Sequence, residues 1–176
     1  MKRVNRKVED DFVLSYEKYL EDIFRHCYYR VLDKEKAKDF AQEAFFRTWK
    51  YISDGNKVEN IRAFVYKTAN NIIIDESRKK KPASLDNMME KGFLPKAEEF
   101  KFVDNNFSNK ELIKIINSLD EKYRDVIMMK YVDGFSSKEI SKVLGENENN
   151  IYVRMHRGLG IIKEIIKSKN ERRKIS

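Results

Sequence analysis

Five side chains between residues 149 and 157, Asn149, Tyr152, Val153, His156 and Arg157, fall on one side of a helix turned at ~100° per residue, and none of them is acidic. Such a set suits the reading of a nucleic acid rather than the making or breaking of bonds. Arg157 can donate to guanine or to a phosphate, Asn149 can pair with a base edge or a phosphate, and Val153 can touch a thymine methyl. A second set, Lys67, Asn70, Asn71, Ile74 and Arg78, shares the outer side of another helical stretch. There asparagine offers donors and acceptors to base edges, while Lys and Arg anchor phosphates. A third set, Asp39, Gln42, Glu43 and Phe46, places an aromatic ring among acids and an amide. An outward aromatic surrounded by hydrogen-bonding groups is typical of a surface that binds another protein. The competing account of all three sets is a solvated helix face. No phosphate-binding loop and no His/Asp/Ser constellation stands beside them, and the two histidines are distant in sequence. The expectation is therefore a binding protein, with no catalytic residue, no cofactor and no metal.

Each set needs a helix with an apolar back to hold it. In the stretch 34–52, Ala37, Phe40, Ala41, Ala44, Phe45, Thr48 and Ile52 form a full amphipathic stripe, with Trp49 at its edge. A preceding helix carries Tyr16, Tyr19, Leu20, Ile23, Phe24, Cys27 and Val31 at helical spacing, and a break at Leu32–Asp33 ends it. A third helix, 60–80, buries Ile61, Val65, Ala69, Ile72 and Ile73. Further along, helices are expected at 110–118, 121–132, 136–144 and 147–167. Ser136 or Ser137 can cap the third of these and Asn147 the fourth, with Gly145 making the sharp turn between them. Ile140, Val143 and Leu144 then face Ile151, Met155, Leu159 and Ile162, which is the pattern of a helix-turn-helix.

Composition agrees. The chain has 176 residues, only 6 Gly and 2 Pro, and a formal charge of +8, which favours helices and a polyanionic partner. Both prolines, Pro82 and Pro95, fall in a middle segment without sustained helical period. The fold expected is all-α, with two small helical domains: residues 1–81, a linker at 82–108, and residues 109–176. Cys27, the single cysteine, implies no disulfide and reads as a buried small hydrophobe. No apolar run approaches ~18 residues and the N-terminus lacks the apolar core of a signal peptide, so a cytoplasmic protein without membrane insertion is expected.

The segment LDEKYRDVIMMKYVDGFSSKEISKVLGENENNIYVRMHRGLGIIKEII resembles region 4 of the sigma-factor family through Leu119, Arg124, Tyr131, Gly134, Ser136, Glu139, Ile140, Gly145, Ile151, Arg154 and Arg157. It departs at Asp120, where proline is common, at Ser141, where alanine is common, and at Glu146, where an aliphatic is common. AKDFAQEAFFRTWKYI is similar to sigma region 2.2, with Asp39, Gln42 and Glu43 matching one by one, and IRAFVYKTANNIIIDESRKKK is similar to regions 2.3–2.4 through Ala69, Asn71, Asp75 and Arg78. The resemblance implies a transcription-initiation factor whose first domain docks on RNA polymerase core enzyme and carries the −10 element. Its second domain would read the −35 element of promoter DNA. It also implies an anti-sigma factor as partner, and a loop, residues 54–59, that receives an unstacked base. Since that loop has no aromatic, its stacking partner is open. Arg154 is expected to pair with Glu139. With no room for additional N-terminal and central regions, the extracytoplasmic-function group is implied. The alternative is a stand-alone helix-turn-helix regulator, which leaves the Asp39/Gln42/Glu43/Phe46 face without a purpose.

Overall fold

In a computed structural model that describes residues 6–79 and 109–175, the first two helices are joined at Leu32, which takes a left-handed conformation (φ 53°). The next residue, Asp33, caps the second helix, its carboxylate accepting from the Lys36 amide at 3.1 Å. These helices are α1 (Arg6–Val31) and α2 (Lys34–Ser53). Their apolar stripes meet antiparallel: Phe12 lies 5.0 Å from Trp49, and Tyr16 lies 4.9 Å from Phe45, ring centre to ring centre. Gly55 turns the chain with φ 92°, and Asn60 caps α3 (Ile61–Lys79) by accepting from the Ala63 amide at 3.0 Å. α3 packs on both α1 and α2. Buried in the bundle are Ile23, Cys27, Ala37, Ala41, Ala44, Phe45, Ile52, Val65, Ala69, Ile72 and Ile73; Phe40, Ile61 and, on α1, Tyr16, Tyr19, Leu20, Phe24 and Val31 of the expected stripes are half-buried. The core also takes in polar groups that hydropathy does not foresee. His26 is fully buried, edge-on to the Tyr66 ring at 4.8 Å and bonded through Nδ1 to Arg30 at 2.8 Å.

The second unit holds α4 (Asn109–Asn117), α5 (Glu121–Tyr131), α6 (Ser137–Leu144) and α7 (Glu148–Ile175). Its core is aliphatic and thioether: Leu112, Ile113, Ile116, Val126, Ile127, Met128, Met129, Ile140, Val143, Ile151 and Ile162 are all buried, with Phe135 as the large ring. α6 begins in a full capping box. Ser136 Oγ accepts from the Glu139 amide at 3.3 Å, and the Glu139 carboxylate accepts from the Ser136 amide at 2.8 Å. Gly145, at φ 68°, ends α6 in the left-handed cap that a residue without Cβ adopts at low cost. Asn147 then caps α7, its side chain accepting from the Asn149 amide at 2.8 Å. α7 runs to Ile175, well beyond the expected end.

The chain divides into two compact units, Met1–Lys91 and Gly92–Ser176. The expected linker, 82–108, lies outside the described residues. Among the described residues there is no strand, and no helix is long and apolar enough to cross a membrane.

Candidate recognition surfaces

α2 buries one side and shows the other. Ala37, Ala41, Ala44, Phe45, Thr48 and Ile52 are buried, the Thr48 hydroxyl donating to the Ala44 carbonyl at 2.8 Å. On the opposite side Asp39 and Gln42 are exposed, Glu43 is half-buried, and Phe46 is 61% exposed. Nothing local covers the Phe46 ring, so the competing expectation of a ring tucked under another element is set aside. Glu43 is engaged by Arg47 one turn on, Nε to Oε1 at 2.7 Å, so part of its acidity is spent within the helix. Arg47 was not among the expected residues.

On α3, Lys67, Asn71 and Arg78 are exposed and Ile74 is half-buried. Asn70 is a correction. It was expected on the outer side and is only 4% exposed, with its Oδ1 buried and without a hydrogen-bond partner. α3 lies against two helices, so its buried arc extends past the apolar stripe and closes over Asn70, one turn beyond the buried Tyr66.

Beside α3, the loop expected to receive an unstacked base has aromatics at its rim. Tyr51, in the last turn of α2, is 41% exposed and stacks on Phe64 of α3 at 4.9 Å with a 27° interplanar angle. The loop folds back onto it, Asn56 Nδ2 donating to the Tyr51 carbonyl at 3.0 Å. Sequence reasoning confined to the loop missed this pair, since the two rings come from the helices on either side. At ~100° per residue Tyr51 falls within the apolar stripe of α2, between Phe40 and Ala44, so periodicity gave no signal of its exposure.

On α7 the five expected residues stand together. Asn149 and His156 are exposed, as are Tyr152, Val153 and Arg157, while Ile151 and Met155 face inward. Leu159, expected in the core, is half-buried. The inward arc runs from Met155 to Gly158 at its other edge, where an added Cβ would stand 3.1 Å from Ile127 Cγ1 and 3.3 Å from Tyr123 Cβ. This glycine lets α5 and α7 approach closely. Its sequence signal was a glycine inside an otherwise unbroken helical pattern. Arg154 does not pair with Glu139, whose carboxylate is held by the capping box. It pairs with Glu146, and its Nε donates to the Lys122 carbonyl at 2.7 Å. Among the described residues no group of His, Cys, Asp and Glu is placed to hold a metal ion.

Two family models match the two units separately, sigma-70 region 2 over residues 15–82 and sigma-70 region 4 over residues 109–160. The ECF RNA polymerase sigma factor SigW of Bacillus subtilis is 31% identical over 172 residues, covering 90% of each chain. The chain belongs to the sigma-70 family. It is a sigma factor of the ECF group, a subunit that directs RNA polymerase to promoters. Another relative, the RNA polymerase sigma factor SigV of Bacillus subtilis, is 23% identical over 143 residues, 81% of this chain and 83% of its own. The fold is likewise shared with solved structures. The sigma factor RpoE in complex with the anti-sigma factor NepR from Bartonella quintana superposes with a TM-score of 0.68 at 17% identity, covering 89% of this chain and 97% of that one. CnrH in complex with the cytosolic domain of CnrY gives 0.63 at 17% identity over 93% and 90%.

Proposed function

We propose that this sigma factor divides its work among three surfaces. Asp39, Gln42, Glu43 and Phe46 on α2 dock on the polymerase core enzyme. Lys67, Asn71, Ile74 and Arg78 on α3 carry the −10 element and help open it. Asn149, Tyr152, Val153, His156 and Arg157 on α7 read the −35 element. The first surface belongs to a domain ending near residue 81 and the third to one beginning near 109; a linker between them tethers the two DNA-reading parts, so that each raises the effective concentration of the other. The Tyr51–Phe64 stack beside the 54–59 loop supplies a flat aromatic surface for a base taken out of the duplex. Such extrusion costs a few kcal/mol, which base–aromatic stacking of ~1–3 kcal/mol per base offsets in part. The factor does no catalysis, needs no cofactor, and works in the cytoplasm under an anti-sigma factor.

The exposure of Phe46, 61%, among hydrogen-bonding side chains carries this reading. A helix with one fully packed side gains nothing from an aromatic ring in water, whereas a protein partner would bury it. The same ring separates the reading from a stand-alone helix-turn-helix regulator, which has no use for it. Gln42→Ala with Phe46→Ala should weaken binding to core polymerase by about 1–3 kcal/mol and leave the circular dichroism spectrum unchanged. Undiminished core binding by that variant would remove α2 as the docking face.

A further inference from the structure

We propose that Glu146 limits the sequence-blind affinity of the −35 surface, because it keeps the Arg154 guanidinium off the DNA. The inference rests on the assignment of α7 to the −35 element.

Arg154 stands at the border of the recognition face. At ~100° per residue it lies about 60° around the helix from Arg157, with Asn150 between them, and both of those neighbours are exposed. A guanidinium on a long, flexible arm at that border is within reach of a phosphate alongside the groove. In the structure it is turned the other way. Its Nη1 pairs with Glu146, its Nε donates to the Lys122 carbonyl at 2.7 Å, and the side chain is only 18% exposed. The carboxylate that holds it is itself fixed. Glu146 follows the left-handed Gly145, and its amide donates to the Ser141 carbonyl at 3.0 Å, so the side chain starts from a set position in the turn. Three elements meet at one guanidinium: the α6–α7 turn, the first turn of α5, and α7.

The consequence concerns how affinity is divided. An arginine free to meet a phosphate adds binding energy that is the same on every sequence. Paired with Glu146 and a carbonyl, Arg154 contributes no such binding, and the α7 surface is left to the side chains that can distinguish bases. Removing the carboxylate releases the arm toward the phosphates beside Asn150 and Arg157. Binding then rises by the same factor on every sequence.

The test uses full-length chain assembled with core polymerase, bound over a salt series to duplexes with a matched or a scrambled −35 element. Glu146→Gln is expected to steepen the dependence of log K on log salt by about 0.9, the signature of one more phosphate contact, and to raise affinity for matched and scrambled duplexes by the same factor. Arg154→Gln in the otherwise unchanged protein is expected to leave the slope as it is. The double variant Glu146→Gln/Arg154→Gln is expected to return to the slope of Arg154→Gln. An unchanged slope in Glu146→Gln overturns the inference. So does a slope shallower by about 0.9 in Arg154→Gln, which would mean that Arg154 already touches a phosphate. A steepening that survives in the double variant overturns it too, since the cause would then be the Glu146 charge itself or a loosened α7. Partly exposed ion pairs contribute little to folding, and the assays are run below the melting midpoint of every variant. Failure of the underlying −35 assignment looks different: the unchanged protein would then fail to distinguish matched from scrambled duplexes at any salt concentration.

Discussion

α3 and α7, the two helices proposed to meet DNA, are buried to different widths. On α3, Val65, Tyr66, Ala69, Asn70, Ile72 and Ile73 are buried, an arc of about 160° at ~100° per residue. On the recognition part of α7, Ile151, Met155, Gly158 and Ile162 are buried, an arc of about 60°. The partners explain the difference. α1 and α2, with 26 and 20 residues, both lie against α3. α5 and α6, with 11 and 8 residues, are too short to follow α7 through its 28. They meet it over a few turns, with one close approach at Gly158. A wide arc surrenders surface to the core, as Asn70 shows. A narrow one leaves most of the circumference free for a partner.

Breaking the narrow arc should produce the largest effect. Ile151→Ala removes a fully buried side chain and should cost the second unit about 2–5 kcal/mol. Arg157→Ala, on the free side, should leave the melting curve in place and lower −35 binding by about 1–3 kcal/mol at one base position if it reads guanine. Thermal melts run alongside a promoter-library selection would show the two behaviours. If Arg157→Ala melts the domain while Ile151→Ala changes base preference, the phase given to α7 is wrong.

The two glycines of α7 should respond with opposite signs. Gly158→Val forces new atoms against Ile127 and Tyr123 and should destabilise by roughly 1–3 kcal/mol. Gly160 has nothing within 4 Å of an added Cβ, so Gly160→Ala should stabilise by about 0.5–1 kcal/mol through helix propensity. Equal denaturation midpoints for the two variants would contradict the close approach of α5 and α7.

The wide arc of α3 can be probed at neighbouring asparagines. Asn70→Leu replaces a buried carbonyl that lacks a partner and should hold or raise stability, by about 1 kcal/mol, with promoter opening retained. Asn71→Ala should leave stability alone and slow opening of the −10 element. Loss of opening in the Asn70 variant, with its melting unchanged, would return Asn70 to the DNA face.

The most local effect concerns the start of α2, one of the two walls of that arc. The Lys36 amide holds the Asp33 carboxyl below its usual value. Because the folded value is depressed, the stabilisation is present above the unfolded value of about 3.9 and is lost as pH falls through the folded one. Asp33→Ala should therefore cost the first unit about 0.5–2 kcal/mol at neutral pH. In pH-dependent melts the gap from the unchanged protein should narrow below about pH 4.

Periodicity alone placed most helix ends within a few residues of the observed ones, because an amphipathic stripe and its caps are local features; the C-terminal end of α7, Ile175, lies well past the expected residue 167. Ser136, Gly145 and Asn147 all act within a few residues of themselves and were legible in those roles, whereas Asp33 was legible only as a break. The phase of α7 was legible for the same reason, and with it Asn149, Tyr152, Val153, His156 and Arg157. Periodicity could not give the width of a buried arc, which depends on how many neighbours a helix has and how long they are; that is where Asn70 was lost. Nor could it give partners across elements. The Tyr51–Phe64 stack joins two helices across a loop, the Gly158 contact joins residues 31 apart from Ile127, and Arg154 takes a carbonyl from α5 and a carboxylate from the turn. Such pairings are decided by where the folded backbone brings side chains into reach, and a helix read by itself holds no record of its neighbours.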